Sequence, residues 1–234
     1  MLQSEKLRKN KNQHVQKNFL SKDQDVKIKY VVQTVLDKII EKYPKLKFGV
    51  TKTLSLRKIE SLISTNVRTG KKSTVKPDGG FLWVEINRVK YYVLVSEQKR
   101  QGTNDKRLSE GKVKQSMGNA AERLGKNVKA FDILFDSHDI YPFVVFIQGC
   151  DFFDEESTIG DRMRTIALFQ EMNKINIEWK KIGNRIYTGG SYYMRGHSMN
   201  DAPGTSDWTF DEMLTILLNV ATQSTEYYLS KYGK

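Results

Sequence analysis

Three side chains in this sequence could do hydrolytic chemistry together: Asp78, Glu97 and Lys99. Asp78 follows a proline and precedes two glycines in "VKPDGG", and Glu97 and Lys99 stand two positions apart at the end of the apolar run in "YYVLVSEQK". In a strand, residues i and i+2 point to the same face, so Glu97 and Lys99 project together. Asp78 meets Glu97 if the strand that follows its bend pairs with the strand that carries Glu97. Two adjacent carboxylates repel each other unless a cation lies between them. A compact site of oxygen ligands suits Mg²⁺. A lysine beside it can stabilise charge developing around phosphorus or help orient an attacking water. These are the parts of metal-assisted phosphodiester hydrolysis. Either short motif alone is common, and a Glu and Lys at a strand end more often form a weak surface ion pair. The ordered combination of bend, apolar strand and Glu-x-Lys is what points to chemistry.

The elements that must position these groups can be read from pattern. Pro77 biases Lys76 away from helix, Asp78 to Gly80 form a bend, and "FLWVEI" alternates as a strand. "VKYYVLVSEQK" is a second strand, and "NRVK" between them suggests a hairpin. Its run from Tyr91 to Val95 suits a strand buried on both faces. Upstream, Val31, Val35, Leu36, Ile39 and Ile40 make one helical stripe that Pro44 stops, and "SLRKIESLIS" carries a second, shorter helical pattern. Downstream, "RQGTNDKRLSEGKVKQS" is polar and basic. "GNAAERLGKNVKAFDILF" reads as a helix with Ala121, Leu124, Val128 and Ile133 or Leu134 facing inward. "YPFVVFIQG" is a central strand and "RMRTIALFQEMNK" a helix. A Gly-rich loop contains strand-like "SYYM". A long C-terminal helix begins near Thr209 and Asp211. Strands interleaved with helices define an α/β fold. The pattern predicts a basic N-terminal arm over residues 1–29 and a single domain over residues 30–234, without repeat or linker.

Lys and Arg total 39 against 27 Asp and Glu, a net charge of +12. A field of that sign attracts polyanions, with DNA or RNA ahead of an anionic membrane. Lys6, Arg8, Lys9, Lys11, Lys17 and Lys22 are dispersed along the arm. They suit a solvated tail, or an arm that folds onto nucleic acid. Cys150 is the single cysteine, which excludes an internal disulfide and a cysteine zinc cluster; it should be a small buried residue. His14, His138 and His197 have no ligand spacing. No apolar stretch approaches a membrane span, and the N-terminus lacks the apolar region of a signal peptide. The expected location is cytoplasmic, with no membrane partner.

Four stretches together resemble a known family, the EcoRI-like type II restriction endonucleases of the PD-(D/E)xK superfamily. They are "KPDGG" (76–80), "VLVSEQKRQG" (93–102), "GNAAERLGKN" (118–127) and "YPFVVFIQGCDF" (141–152). Weaker likeness lies in "EKYPKLKF", "GDRMR" and "SDWTFDEM", so the resemblance covers most of the chain from about residue 30 onward. It implies a central mixed β-sheet flanked by helices on both faces, as in the restriction-endonuclease-like core. It implies that Asp78 and Glu97 ligate Mg²⁺, joined by the backbone carbonyl of Gln98, with Lys99 as the catalytic lysine. It places Asn119, Ala120, Glu122 and Arg123 in the major groove over an AATT core, with Gly118 beside them as a DNA contact. Gln101, Arg162 and Arg164 are DNA contacts on the same grounds. Those residue types suit base edges: Asn bonds adenine N6 and N7, Ala meets a thymine methyl, and Arg donates to base acceptors. Gln115, Ser116 and Met117 depart from the family's pattern where the outer base pair is read. The resemblance implies a palindrome with an AATT core, and that departure implies a different or unread outer pair, or AATT alone. The partners implied are double-stranded DNA, a second copy of the chain, and a DNA methyltransferase that protects the same site without joining the complex. The products implied are 5′-phosphates and 5′ overhangs.

Two other readings compete. A structure-selective or repair nuclease would use the same metal site without "GNAAER" as a base reader. A non-catalytic DNA-binding protein would use Asp78, Glu97 and Lys99 as an ion-pair cluster only.

Overall fold

A computed structural model describes residues 26–55, 74–100, 110–111, 130–131, 134–135, 139–150, 176–179, 191–196, 201–202 and 204–233. Its strands are β1 (Lys47–Thr51), β2 (Leu54–Ser55), β3 (Thr74–Val75), β4 (Phe81–Ile86), β5 (Val89–Arg100), β6 (Phe143–Gln148), β7 (Asn176–Trp179) and β8 (Ser191–Arg195). A helix over residues 26–42 (α1) precedes them, and α2 (Phe210–Tyr232) closes the chain.

Six strands form one mixed sheet in the order β1-β4-β5-β6-β8-β7. β1, β4 and β5 are antiparallel neighbours, whereas β5, β6, β8 and β7 run parallel. The hairpin joining β4 to β5 turns on Asn87 and Arg88, both with positive φ (51° and 67°). That pairing of left-handed residues matches the twist of two-residue hairpins. Asn87 also donates from its side chain to the Tyr232 carbonyl at the end of α2, at 2.8 Å.

Both helices pack on one sheet face. Ile28, Val31, Val32, Val35 and Ile39 of α1 meet Leu82, Val84, Ile86, Leu94, Val144 and Phe146 of the sheet. From α2, Met213, Ile216, Leu217, Val220, Ala221 and Tyr228 join them. The opposite face carries Phe81 and Phe143 against Phe131, and Tyr92 against Phe135, with Phe131 and Phe135 in helical turns. The fold is thus α/β, a mixed sheet with helices on both faces.

Several expectations shift in detail. α1 begins before Val31, because Ile28 is fully buried and extends the apolar stripe by a turn. Ile40 is exposed and Leu36 half-buried, so Val32 takes the inward position instead. Ser55, the first residue of the shorter helical pattern, lies in β2; the rest of that pattern lies outside the described residues. Neither β1 nor β7 was expected. β1 shows no strict alternation, and its Gly49 leaves room for Trp83, whose ring lies 2.5 Å from where a Cβ would stand. Cys150 is buried, as expected of it. The helix over 162–174, most of the helix from residue 118, and all three histidines lie outside the described residues.

Candidate active site

The bend at Asp78 is built by Pro77 and two glycines. The Gly80 N–H donates to the Pro77 carbonyl at 3.1 Å, and Gly80 adopts a φ of 77° that suits a residue without Cβ. The Gly79 N–H donates to the Ser96 carbonyl at 3.0 Å, which ties the bend to β5 beyond the start of β4. Gly79 has no space for a side chain: a Cβ would lie 2.0 Å from Ser96 Oγ and 2.9 Å from Val32 Cγ2.

This seat brings Asp78 against the end of β5. The Asp78 N–H donates to Glu97 Oε2 at 3.0 Å, and the Gln98 N–H donates to Asp78 Oδ2 at 3.1 Å. Lys99 Nζ donates to Asp78 Oδ2 at 3.4 Å and also to Glu97 Oε1. The two carboxylates and the ammonium expected to lie side by side are therefore in contact. Alternation along β5 sends Glu97 and Lys99 to the same face.

Burial sets the electrostatics. Glu97 is 2% exposed. Burial pushes its pKa up to about 6, the Asp78 charge adds to the rise, and Lys99 opposes it. For Lys99, burial favours the neutral amine, but the charges of Glu97 and Asp78 and their hydrogen bonds outweigh it and the net shift is upward. Lys99 thus stays an ammonium between two carboxylates.

The donor set suits a hard divalent cation. Two carboxylates converge, and the pocket between them already attracts a positive charge. Among the described residues no group of three or more His, Cys, Asp or Glu side chains clusters for a metal. An ion here would take two carboxylates and complete its shell with backbone oxygen, water and substrate, the habit of Mg²⁺.

The other face of the same strand end carries a hydrogen-bonded cluster of amides joined to an ion pair. Gln98 Nε2 donates to Gln148 Oε1 at 3.3 Å, and the Trp208 N–H donates to that same oxygen at 3.0 Å. Gln148 Nε2 donates to Asp207 Oδ1 at 2.7 Å, while Asp207 Oδ2 lies 3.5 Å from the Arg100 guanidinium. Sequence reasoning did not find Gln148, Asp207 or Arg100. A polar residue ending the apolar run "FVVFI" was the available signal for Gln148.

A search of protein families matches residues 13–234 to the one described as Restriction endonuclease EcoRI. The chain belongs to that family. Among its relatives is the "Type II restriction enzyme RsrI" of Cereibacter sphaeroides, 28% identical over 234 residues, covering 86% of this chain and 83% of the relative. Another is the "Type II restriction enzyme EcoRI" of Escherichia coli, 27% identical over 154 residues, covering 59% of this chain and 56% of the relative. The family match takes in both the bend at Asp78 and the strand end at Glu97. The residues expected to touch DNA, Gln101, Gln115, Ser116, Met117, Gly118, Asn119, Ala120, Glu122, Arg123, Arg162 and Arg164, lie outside the described residues. No described helix is long and apolar enough to cross a membrane.

Proposed function

We propose that this chain is a Mg²⁺-dependent type II restriction endonuclease that cuts double-stranded DNA at a palindrome with an AATT core. The observation that carries the reading is the contact of Asp78, Glu97 and Lys99 at one strand end. Membership of the restriction endonuclease EcoRI family, and two relatives named as type II restriction enzymes, agree with it.

Asp78 and Glu97, with the Gln98 carbonyl, would hold the ion. Bound there, Mg²⁺ supplies Lewis-acid stabilisation of the phosphate and lowers the pKa of a water. Lys99 is placed to donate to a phosphate oxygen as negative charge builds around phosphorus. It is held for that by the carboxylates, whose charges keep it protonated. Water adds to phosphorus, the bond to the 3′ oxygen breaks, and the products are a 3′-hydroxyl and a 5′-phosphate. Asn119, Ala120, Glu122 and Arg123 read the core bases from the major groove. Gln115, Ser116 and Met117 determine how the outer pair is treated, and Gln101, Arg162 and Arg164 contact the DNA. A two-fold palindrome calls for a homodimer with one active site per strand, and offset cuts leave 5′ overhangs. Such an enzyme acts in the cytoplasm, where a methyltransferase of the same specificity protects the host.

Incubating the protein with phage DNA in Mg²⁺ or in EDTA, then sequencing fragment ends, tests this. Discrete fragments with AATT in every overhang, absent in EDTA and absent with Glu97→Gln, are expected. A smear of unrelated ends would replace the reading with a structure-selective nuclease. Tight selective binding without any cleavage would replace it with a DNA-binding module.

A further inference from the structure

We propose that the side chains of Gln98, Gln148 and Asp207 are positioning residues for the metal-holding end of β5, acting from the opposite sheet face. The inference rests on the metal-site reading above and names what holds that site in shape.

The polarity of the cluster is fixed by chemistry. The Trp208 N–H can only donate and the Asp207 carboxylate accepts, so Gln148 must turn its oxygen to Trp208 and its nitrogen to Asp207. Gln148 Oε1 is then the only end of that amide facing Gln98, which must present its Nε2. Gln148 is fully buried and Gln98 is 6% exposed, so these are bonds in a low-dielectric interior.

The cluster reaches a segment that is itself anchored. The Gly149 N–H donates to Ser206 Oγ at 3.1 Å, and Trp208 Nε1 donates to the Ile147 carbonyl at 3.2 Å. Thr209 then caps α2. Two successive residues on this face of β5 are tied to that segment: Gln98 through Gln148, and Arg100 through Asp207.

The consequence falls on the Gln98 backbone. Its N–H donates to Asp78. In a strand, the N–H and C=O of one residue face the same neighbour, so the Gln98 carbonyl faces the edge where Asp78 sits. Side chain and backbone of Gln98 are thus held from opposite directions, which fixes the aim of its carbonyl and, through Asp78, the distance between the carboxylates. Stability alone does not favour this amide. Gln98 Oε1 has no partner among the described residues, and an orphaned buried acceptor costs free energy. A methionine of similar length would avoid that cost while leaving the backbone carbonyl in place.

Gln98→Met in the full chain separates the two roles. The readouts are the thermal midpoint, Mn²⁺ affinity from the free-ion EPR signal, and kcat and KM on an AATT duplex in Mg²⁺. The midpoint should stay or rise, Mn²⁺ affinity should fall about 10- to 100-fold, as for other supports of metal ligands, and kcat should fall with KM for DNA unchanged. Gln148→Met should weaken Mn²⁺ binding in the same direction, with a lower midpoint. Unchanged Mn²⁺ affinity in Gln98→Met, or a lower midpoint as its sole effect, would reduce the cluster to ordinary packing. Should the wild type bind Mn²⁺ yet cut no DNA, the nuclease reading fails while the Mn²⁺ arm still decides this one. A wild type that binds no Mn²⁺ overturns both.

Discussion

Glu97 and Gln98 are adjacent, both nearly buried, and face opposite sides of one sheet. On the Glu97 side, two carboxylates stand together with a lysine, and Glu97 holds its proton up to about pH 6 because burial and Asp78 disfavour its charge. On the Gln98 side, most donors find acceptors, and a charge pair, Arg100 with Asp207, is bridged to the amides of Gln148 and Gln98. The first arrangement is poor for stability and good for taking up a cation. The second is a hydrogen-bonded network that ties the backbone to its neighbours, with Gln98 Oε1 left as an acceptor without a partner among the described residues. A strand end can combine them because alternation sends neighbouring side chains to separate environments.

The largest break in this contrast is Lys99→Met. It removes the counter-charge from both carboxylates and the donor proposed for the phosphate. Cleavage rates should fall about 10²- to 10³-fold, the size expected for losing one electrostatic stabiliser. A single-turnover assay at saturating Mg²⁺ measures it, and a loss of only a few-fold would make Lys99 a structural partner alone.

Titration comes next. The fold raises the pKa of Glu97, so its carboxylate is available above about pH 6 and lost as pH falls through that value. The Mg²⁺ concentration for half-maximal cleavage should therefore rise about tenfold per pH unit below that point, since a proton competes with the ion. A flat metal requirement from pH 5 to 8 would remove Glu97 from the site. The same upward shift means that the ionised carboxylate opposes folding above pH 6, and this opposition is relieved as pH falls.

Gly79→Ala tests whether the bend joins the two faces. The added Cβ collides with Ser96 and Val32 on the face packed against α1 and α2. The expected cost is about 1–3 kcal/mol, as for overpacking elsewhere, read as a lower denaturation midpoint. Cleavage should weaken too, because Asp78 shifts from Glu97. Wild-type cleavage in a destabilised variant would show that the bend does not set the carboxylate spacing.

The smallest effect is expected at Glu212→Gln, outside both clusters. The Arg195 hydrogen bonds pull the Glu212 pKa down to about 2. Its contribution is present above the unfolded value near 4.5 and lost as pH falls toward 2. The pair is partly exposed, so the loss at pH 7 should stay below about 1 kcal/mol, with Mn²⁺ affinity unchanged. A change in Mn²⁺ binding would mean that the start of α2 communicates with the proposed metal site.

The local code of the sequence sufficed for several features. Alternation in "FLWVEI" and the apolar run in "YYVLV" mark β4 and β5, and Thr209 with Asp211 marks the start of α2. Asp78, Glu97 and Lys99 were legible because a bend and an i, i+2 pair express a shared site in chain-local terms. β1 and β7 were not, since β1 is half-buried with an internal glycine and β7 has four residues, so neither offers a full period of pattern.

The tertiary structure alone decided which groups stand behind the site. Gln148 is 50 residues from Gln98, and Trp208 is 60 residues from Gln148. No periodicity links positions so far apart. They meet because β6 pairs parallel to β5 and the segment before α2 folds under their ends. Residue type states what a side chain can donate or accept, but only the pairing of distant strands determines whether a partner is there to receive it.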